Sequence, residues 1–369
     1  MNVLQRNFFR LLRSGTFGSK EQLEPLSTWK WDKLYRLSLM HGVAALIYDG
    51  MMVMKDDFFL QLTDAQWALW KKTVAETENQ NKETDIQLSE VFSHLNKEKL
   101  RPMLLKGQSF AQFYPVPSHR TAGDVDIFFP YDSLAKKADQ WAKEHGKVDE
   151  GNEKNSMVYQ MGAVKVEHRR TLLSLTNPLL NKRLQNIISK ETRCCDSCYA
   201  YVNGTKVECL PNNINLLTML VRISRYMLND GISLKQIIDL GMFLRKQGDK
   251  VDYVLMQKWL AKLQLQPMAQ LIGGLLIALF NFSPDEIPFM DKHKTIATDI
   301  ILNEVFRLSG AHAYDWYFTQ GKDIFVRASN SNAMFWQMRH SVRYFRYCPA
   351  ESVTNFLSSF AHSLSHIEE

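Results

Sequence analysis

Two aspartates separated by one residue carry the clearest chemical signal in this sequence. Asp124 and Asp126 stand in GDVDIFF (residues 123–129), whose alternation and apolar end predict a β-strand. Residues i and i+2 of a strand point to the same face, so the two carboxylates are expected to repel each other unless a cation lies between them. Mg²⁺, or Mn²⁺, binds one or two carboxylates together with water and phosphate oxygens. The pattern therefore predicts a metal site, although Asp-X-Asp alone also fits two acids on a solvated strand face.

A glycine turn upstream of the aspartates has the features of a phosphate-binding segment. LLKGQSF (residues 104–110) predicts a short apolar strand that ends at Lys106-Gly107 and leads into a short helix. Glycine permits close approach of the backbone to a ligand, and N–H groups that begin a helix bind phosphate oxygens. Lys106 adds positive charge, and Ser109 and Arg120 are expected to add further contacts. We expect this segment to bind the triphosphate of a nucleotide.

A third acid follows in a later predicted strand. Glu167 stands in VKVEHRR (residues 164–170), directly before His168. Enzymes that transfer phosphoryl groups with two metals commonly use two acids as bridging ligands and one that also helps to activate the attacking hydroxyl. Glu167 is predicted to be that third catalytic acid and metal ligand. His168 is expected either to orient a phosphate as a residue of the NTP site or to pack within its strand.

The ordered set of motifs resembles the uncharacterised bacterial nucleotidyltransferases of the polymerase-β superfamily. Those proteins show a Lys-Gly turn, a Tyr-Pro break, an arginine shortly before Gly-Asp-hydrophobic-Asp, and a later strand with an acid followed by histidine. The matching residues of this chain are Lys106-Gly107, Tyr114-Pro115, Arg120, Gly123 to Asp126, and Glu167-His168. The resemblance covers about residues 30 to 250.

The resemblance implies an α+β fold with a polymerase-β-type catalytic core built on a small mixed β-sheet. It implies that Asp124 and Asp126 hold the metal with Glu167 as the third carboxylate, and that the glycine turn and Gly123 lie against the triphosphate. Two features depart from the superfamily pattern. The turn is Lys-Gly-Gln-Ser where Gly-Ser or Gly-Gly is usual, and the third acid is Glu where Asp is frequent.

The pattern of apolar and turn residues along the chain predicts three regions. Residues 1–98 are predicted to be helical, 99–211 to form the nucleotidyltransferase core, and 212–369 to be helical again. Thr63-Asp64-Ala65-Gln66 has the form of a capping box that opens a long helix. That helix has apolar stripes near its two ends and a middle segment that is polar on all sides, which indicates a connector between two packed bodies.

Composition and cysteine content indicate which partners, location and cysteine chemistry to expect. The chain has 369 residues and a formal net charge of +6, a mild excess that permits contact with a polyanion without requiring it. The longest apolar run, Leu271 to Phe280, predicts a buried helix because a bilayer span needs about 20 residues. With no secretion signal, a cytoplasmic location is expected. Cys194, Cys195, Cys198 and Cys209 are expected to be free thiols, and zinc ligation is the alternative.

Three hypotheses of function follow from these residues. The first is an enzyme that moves a nucleotidyl group from an NTP to an acceptor hydroxyl with Mg²⁺. Its acceptor remains open between an RNA end, a protein, a sugar and a small molecule. The second is a catalytically inactive nucleotide-binding or partner-binding protein on the same fold. The third is a metal-dependent glycosyltransferase, which the third acid and the Lys-Gly turn disfavour.

Overall fold

The computed structural model describes residues 1–148, 156–194, 197–229, 233–291 and 342–365. The chain divides into two compact units. The first consists of Met1–Leu172 and Ile188–Asn215, and the second of Leu173–Ile187 and Leu216–Glu369. This division differs from the three regions predicted from the sequence, because the N-terminal helices share a unit with the sheet and a segment near residue 180 belongs with the C-terminal helices.

Three helices open the first unit: α1 (Val3–Phe17), α2 (Thr28–Met40) and α3 (Ala44–Val53). Helices α1 and α3 cross at two glycines. A side-chain carbon on Gly50 would lie 1.9 Å from the backbone oxygen of Leu11, and one on Gly15 would lie 1.9 Å from that of Leu46. Only hydrogen fits at these two points, so the glycines set the distance between the two helices.

Helix α4 (Asp64–Lys97) has 34 residues and runs from these helices to the sheet. It begins with the predicted capping box, in which the Thr63 hydroxyl accepts from the Gln66 N–H and the Gln66 side chain accepts from the Thr63 N–H. Near its start, Trp70 packs edge-to-face on Tyr35 of α2. Four residues near its end join the core beneath the sheet: Leu88, Val91, Phe92 and Leu95. The two predicted apolar stripes thus serve two separate clusters.

A seven-stranded mixed sheet forms the rest of the unit, in the order β3-β4-β5-β2-β1-β7-β6. Its strands are β1 (Met103–Leu105), β2 (Val125–Phe128), β3 (Lys147–Val148), β4 (Ser156–Met161), β5 (Val164–Arg169), β6 (Cys198–Val202) and β7 (Thr205–Cys209). The pairs β2–β5 and β1–β7 are parallel, and the other neighbours are antiparallel. A mixed sheet flanked by helices confirms the predicted α+β class.

One face of the sheet is apolar. It is covered by the end of α4 and by α6 (Asp132–His145), which places Ala135, Ala138 and Ala142 in the core. The short helix α5 (Gln108–Ala111) follows β1 directly. Because side chains alternate along each strand, the residues that do not face this core lie on the opposite side of the sheet.

The described part of the second unit is helical. It contains the start of α7 (Pro178–Cys194), most of α8 (Asn212–Asn229), α9 (Leu234–Gln247), α10 (Tyr253–Lys262), α11 (Gln266–Phe280) and α12 (Pro349–Ser365). Glu351 joins α12 to α7, since its carboxylate accepts from the N–H groups of Thr176 and Asn177. The apolar run that begins at Leu271 lies in α11 and is largely buried, as predicted. None of the helices that the structure describes has the length and apolar character needed to cross a membrane.

Candidate functional site

Two of the three predicted acids lie side by side on neighbouring strands. Asp126 of β2 is the register partner of Glu167 on the parallel strand β5. Register partners in a parallel pair project to the same face, and here that face is opposite the apolar core. Asp126 is only 1% exposed, and Glu167 is partly buried. The structure therefore brings together two carboxylates that are 41 positions apart in the sequence.

Two cations neutralise this pair. Arg169 donates from Nε to Asp126 Oδ1 at 2.7 Å and from Nη2 to Glu167 Oε2 at 2.5 Å. The Lys106 ammonium lies 2.8 Å from Asp126 Oδ2. Arg169 was not among the residues predicted from the sequence. Its position two residues after Glu167 in a strand was the available signal, because that spacing places both side chains on one face.

The pKa values of the two carboxyl groups are shifted in opposite directions. Burial alone would raise the pKa of Asp126, but the charges of Lys106 and Arg169 more than offset burial and hold that pKa below its usual value. Burial raises the pKa of Glu167, and the neighbouring Asp126 charge adds to the rise while Arg169 opposes it. Two such acids suit different chemical roles, because one stays ionised while the other takes up a proton more readily.

The carboxylate pair fits a divalent cation. Asp126 Oδ2 is buried, and the Lys106 ammonium lies 2.8 Å from it. A buried carboxylate oxygen needs a cation or a donor beside it, and a metal ion is one group that meets this need. Mg²⁺ takes one or two carboxylates and fills its remaining positions with water and phosphate oxygens. Over the described ranges, no group of three or more acid, histidine or cysteine side chains is placed to hold a metal. The structure thus brings Asp126 and Glu167 together, and metal binding by Asp124, Asp126 and Glu167 stays a prediction.

Asp124 lies immediately before β2 rather than within it. It is exposed, and so is its neighbour Gly123. The glycine turn lies beside them, since a side-chain carbon on Gly107 would be 4.0 Å from the backbone oxygen of Asp124. Gly107 has φ 58° and ψ −121°, a backbone conformation that residues with a side chain seldom adopt. Ser109 is buried and its hydroxyl donates to the Lys106 carbonyl, so its side chain secures the turn.

The middle of α4 supports the two loops that flank Asp124. Asn81 donates to the carbonyls of Ser118 and Arg120, at 2.8 and 3.0 Å. Its own oxygen accepts from Gln108, which also donates to Asp85. The middle segment is polar in sequence but not exposed on all sides, because Asn81 is 1% exposed and continues the buried side of the helix. The side chain of Arg120 is likewise buried, and its predicted contact with phosphate stays a prediction.

Comparison with known proteins places the chain in a family. A family described as an uncharacterised nucleotidyltransferase matches residues 27–281. The chain belongs to this family. The matched range contains the glycine turn, the carboxylate pair and the whole sheet, so the predicted membership of an uncharacterised nucleotidyltransferase family is confirmed. No match was found among curated proteins or among solved structures.

His168 does not face the carboxylate pair of this nucleotidyltransferase family member. It is buried on the apolar face, where Nδ1 contacts Asp139 of α6 and Nε2 contacts the Tyr159 hydroxyl, each at 3.0 Å. Burial lowers the pKa of His168. The prediction that this histidine belongs to the NTP site is corrected to the packing alternative, because strand alternation turns residue 168 away from residue 167.

The described cysteines carry free thiols, and none of them belongs to the carboxylate pair. Cys198 and Cys209 are register partners at the β6–β7 edge. Cys194, Cys198, Cys209 and Cys348 carry free thiols. Cys195, which completes the predicted cluster, lies outside the described residues.

A second histidine connects the loop before Asp124 to two helices. His119 Nδ1 lies 2.8 Å from Asp49 of α3, and Nε2 lies 3.0 Å from Glu78 of α4. Burial alone would lower the pKa of His119, but the two carboxylates more than offset burial and raise it. Protonated His119 therefore joins three segments of the first unit.

This arrangement predicts a pH-dependent stabilisation. A histidine whose pKa is raised in the folded state stabilises the fold fully below its unfolded pKa of about 6.5, and the effect is lost as the pH rises through the folded value. We expect the melting temperature of wild type to exceed that of His119→Gln at pH 6, and the difference between them to shrink as the pH is raised. Thermal unfolding of both proteins at a series of pH values from 6 upwards measures this difference. His145→Gln is the control, because His145 is exposed. A difference that is constant with pH would exclude this role for His119.

Proposed function

We propose that the protein transfers a nucleotidyl group from an NTP to an acceptor hydroxyl and releases pyrophosphate, with Mg²⁺ or Mn²⁺ as cofactor. The observation that carries the proposal is the register pairing of Asp126 with Glu167 beside the glycine turn. Family membership supports the class of reaction. The donor nucleotide, the metal and the acceptor are part of the proposal.

Asp126 and Glu167 would hold the metal, with Asp124 at the open start of β2 as a further ligand. Support comes from the position of the two carboxylates, which lie side by side on β2 and β5 as register partners. When bound, the metal supplies positive charge that stabilises the charge developing on the transferred phosphorus and on the leaving pyrophosphate. The chain itself contributes the position of both carboxylates, because neighbouring parallel strands fix them rigidly.

The residues around the pair divide the remaining tasks. Lys106 and the backbone at Gly107 and Gly123 would bind the triphosphate. Glu167 would accept the proton of the acceptor hydroxyl. The hydroxyl oxygen forms a bond to the α-phosphorus as the bond from that phosphorus to pyrophosphate breaks. The raised pKa of Glu167 supports this role, because a base works best when its pKa approaches the working pH.

A protein that binds nucleotide without turnover is the second candidate. The observation that favours it is the ion-pair cluster itself, since Lys106 and Arg169 already satisfy the charge of both acids. Glycosyl transfer is disfavoured by the family match and by the Lys-Gly turn.

The two candidates are separated by label transfer. The purified protein is incubated with each NTP labelled on the α-phosphate, Mg²⁺ and a cell lysate, and the products are separated by size and charge. The proposal expects metal-dependent labelling of an acceptor by wild type and none by the Asp124→Ala/Asp126→Ala double variant. Binding of Mg-NTP without any labelling would favour the binding protein. Equal binding of Mg-NTP by the double variant and wild type would overturn the proposal.

A further inference from the structure

Arg169 contacts both acids that would hold the metal. Its Nε and Nη2 groups each take one carboxylate oxygen, from Asp126 and Glu167 respectively. Arginine is suited to this bridge because its planar fork presents donors in fixed directions. Lys106, in contrast, is a single point charge that approaches only Asp126.

The charges of this cluster are balanced without any metal. Asp126 and Glu167 contribute two negative charges, and Lys106 and Arg169 contribute two positive charges. Among these four side chains a free divalent cation would therefore leave an excess of two positive charges around a carboxylate that is 1% exposed, and the exposed Asp124 offsets only one of them. Excess charge in a buried setting is strongly unfavourable. A metal that arrives with a triphosphate brings more negative than positive charge, and the phosphates become partners for the two cations.

The side chain of Arg169 is more exposed than the carboxylate of Asp126 that it contacts. It is 34% exposed, whereas its partner Asp126 is buried at the base of the pair. A guanidinium that leaves the carboxylates can bind phosphate oxygens through the same two-pronged geometry. Movement of Arg169 would free one oxygen on each acid for the metal.

We propose that Arg169 keeps free metal out of the Asp126–Glu167 pair, so that metal enters only together with a nucleotide whose phosphates take over the guanidinium. This inference rests on the proposed function. It assigns Arg169 a positioning role, because the residue acts by controlling which ligands the two carboxylates hold.

The test is Mn²⁺ binding, measured by the electron paramagnetic resonance signal of free Mn²⁺ with and without a non-hydrolysable NTP analogue. Protein-free mixtures of Mn²⁺ and the analogue are measured as the baseline, because the triphosphate itself binds Mn²⁺. Wild type is expected to bind Mn²⁺ weakly alone and tightly with the analogue. Arg169→Gln is expected to bind Mn²⁺ alone at least about tenfold more tightly than wild type, and to gain correspondingly less from the analogue. Arg101→Gln is the matched control, because it removes the same charge from an ion pair with Glu208. Arg101 precedes β1, whereas Lys106 follows it.

The outcomes separate this inference from the proposed function. If Arg169→Gln binds Mn²⁺ alone within about twofold of wild type, the inference is wrong, while tight Mn²⁺ binding by wild type with the analogue would leave the proposed function standing. If wild type binds no Mn²⁺ even with the analogue, both are wrong. Circular dichroism checks the fold of Arg169→Gln. Should that variant not fold, Arg169→Met carries the test, since methionine keeps an unbranched side chain, removes the charge and should likewise bind Mn²⁺ alone more tightly than wild type.

Discussion

Replacing Asp126 by Asn is expected to lower metal-dependent nucleotidyl transfer by about a hundredfold to a thousandfold, because loss of one electrostatic element from a buried site costs about that much. The substitution keeps the size of the side chain and therefore creates no cavity in the sheet. It removes the charge that the metal requires and presents an amide to Lys106 and Arg169. Those two cations are each about one third exposed, so water can solvate them and the fold should persist.

The measurement compares initial rates of label transfer by wild type and Asp126→Asn over a range of Mg²⁺ concentrations. Asp64→Asn provides the control, since Asp64 is an exposed acid in the first turn of α4 and loses the same charge. Urea unfolding of all three proteins establishes that each is folded under the assay conditions. Retention of more than about a tenth of the wild-type rate by folded Asp126→Asn would remove Asp126 from the metal site, because loss of a required ligand is far costlier.

Local structure followed closely from local sequence. Thr63 and Gln66 specify a capping box, and Asn203-Gly204 specifies a tight hairpin turn with positive φ at both residues, because each depends only on neighbouring atoms. The pairing of Asp126 with Glu167 is different. Strand order and register decide it, and neither can be calculated from periodicity. The order of the motifs pointed to it only through resemblance to a family.

The errors also have physical causes. Asn81 lies in the segment that is polar on all sides in sequence, yet it is buried, because buried loop carbonyls require donors and the helix supplies one at that position. His168 was placed near the phosphates because it adjoins Glu167, although adjacent residues of a strand face opposite sides. Arg169 is not part of the acidic motifs, so the pattern of carboxylates does not indicate it. A buried acid beside a predicted metal site needs a compensating cation whenever the metal is absent, and that requirement could have led to it.

The glycine turn gives the second large expected effect. Gly107 has φ 58° and ψ −121°, and a side chain in this conformation is strained by about 1 to 3 kcal/mol. Space is not the obstacle, since the nearest neighbour of an added carbon is the Asp124 backbone oxygen at 4.0 Å. Alanine at this position should therefore relax by shifting the turn. The shift would move the backbone that we expect to bind the triphosphate and would alter the position of Lys106, which contacts Asp126.

Gly107→Ala is accordingly expected to weaken Mg-NTP binding by about tenfold to a hundredfold, the strain expressed as a ratio of dissociation constants. Isothermal titration calorimetry with a non-hydrolysable NTP analogue and Mg²⁺ measures this change. Gly204→Ala is the matched control, because Gly204 also has positive φ, 78°, but lies in the β6–β7 hairpin turn. It should lose stability without losing affinity. If the two alanine variants weaken binding equally, general strain would explain the result, and the turn at Gly107 would have no specific part in holding the nucleotide.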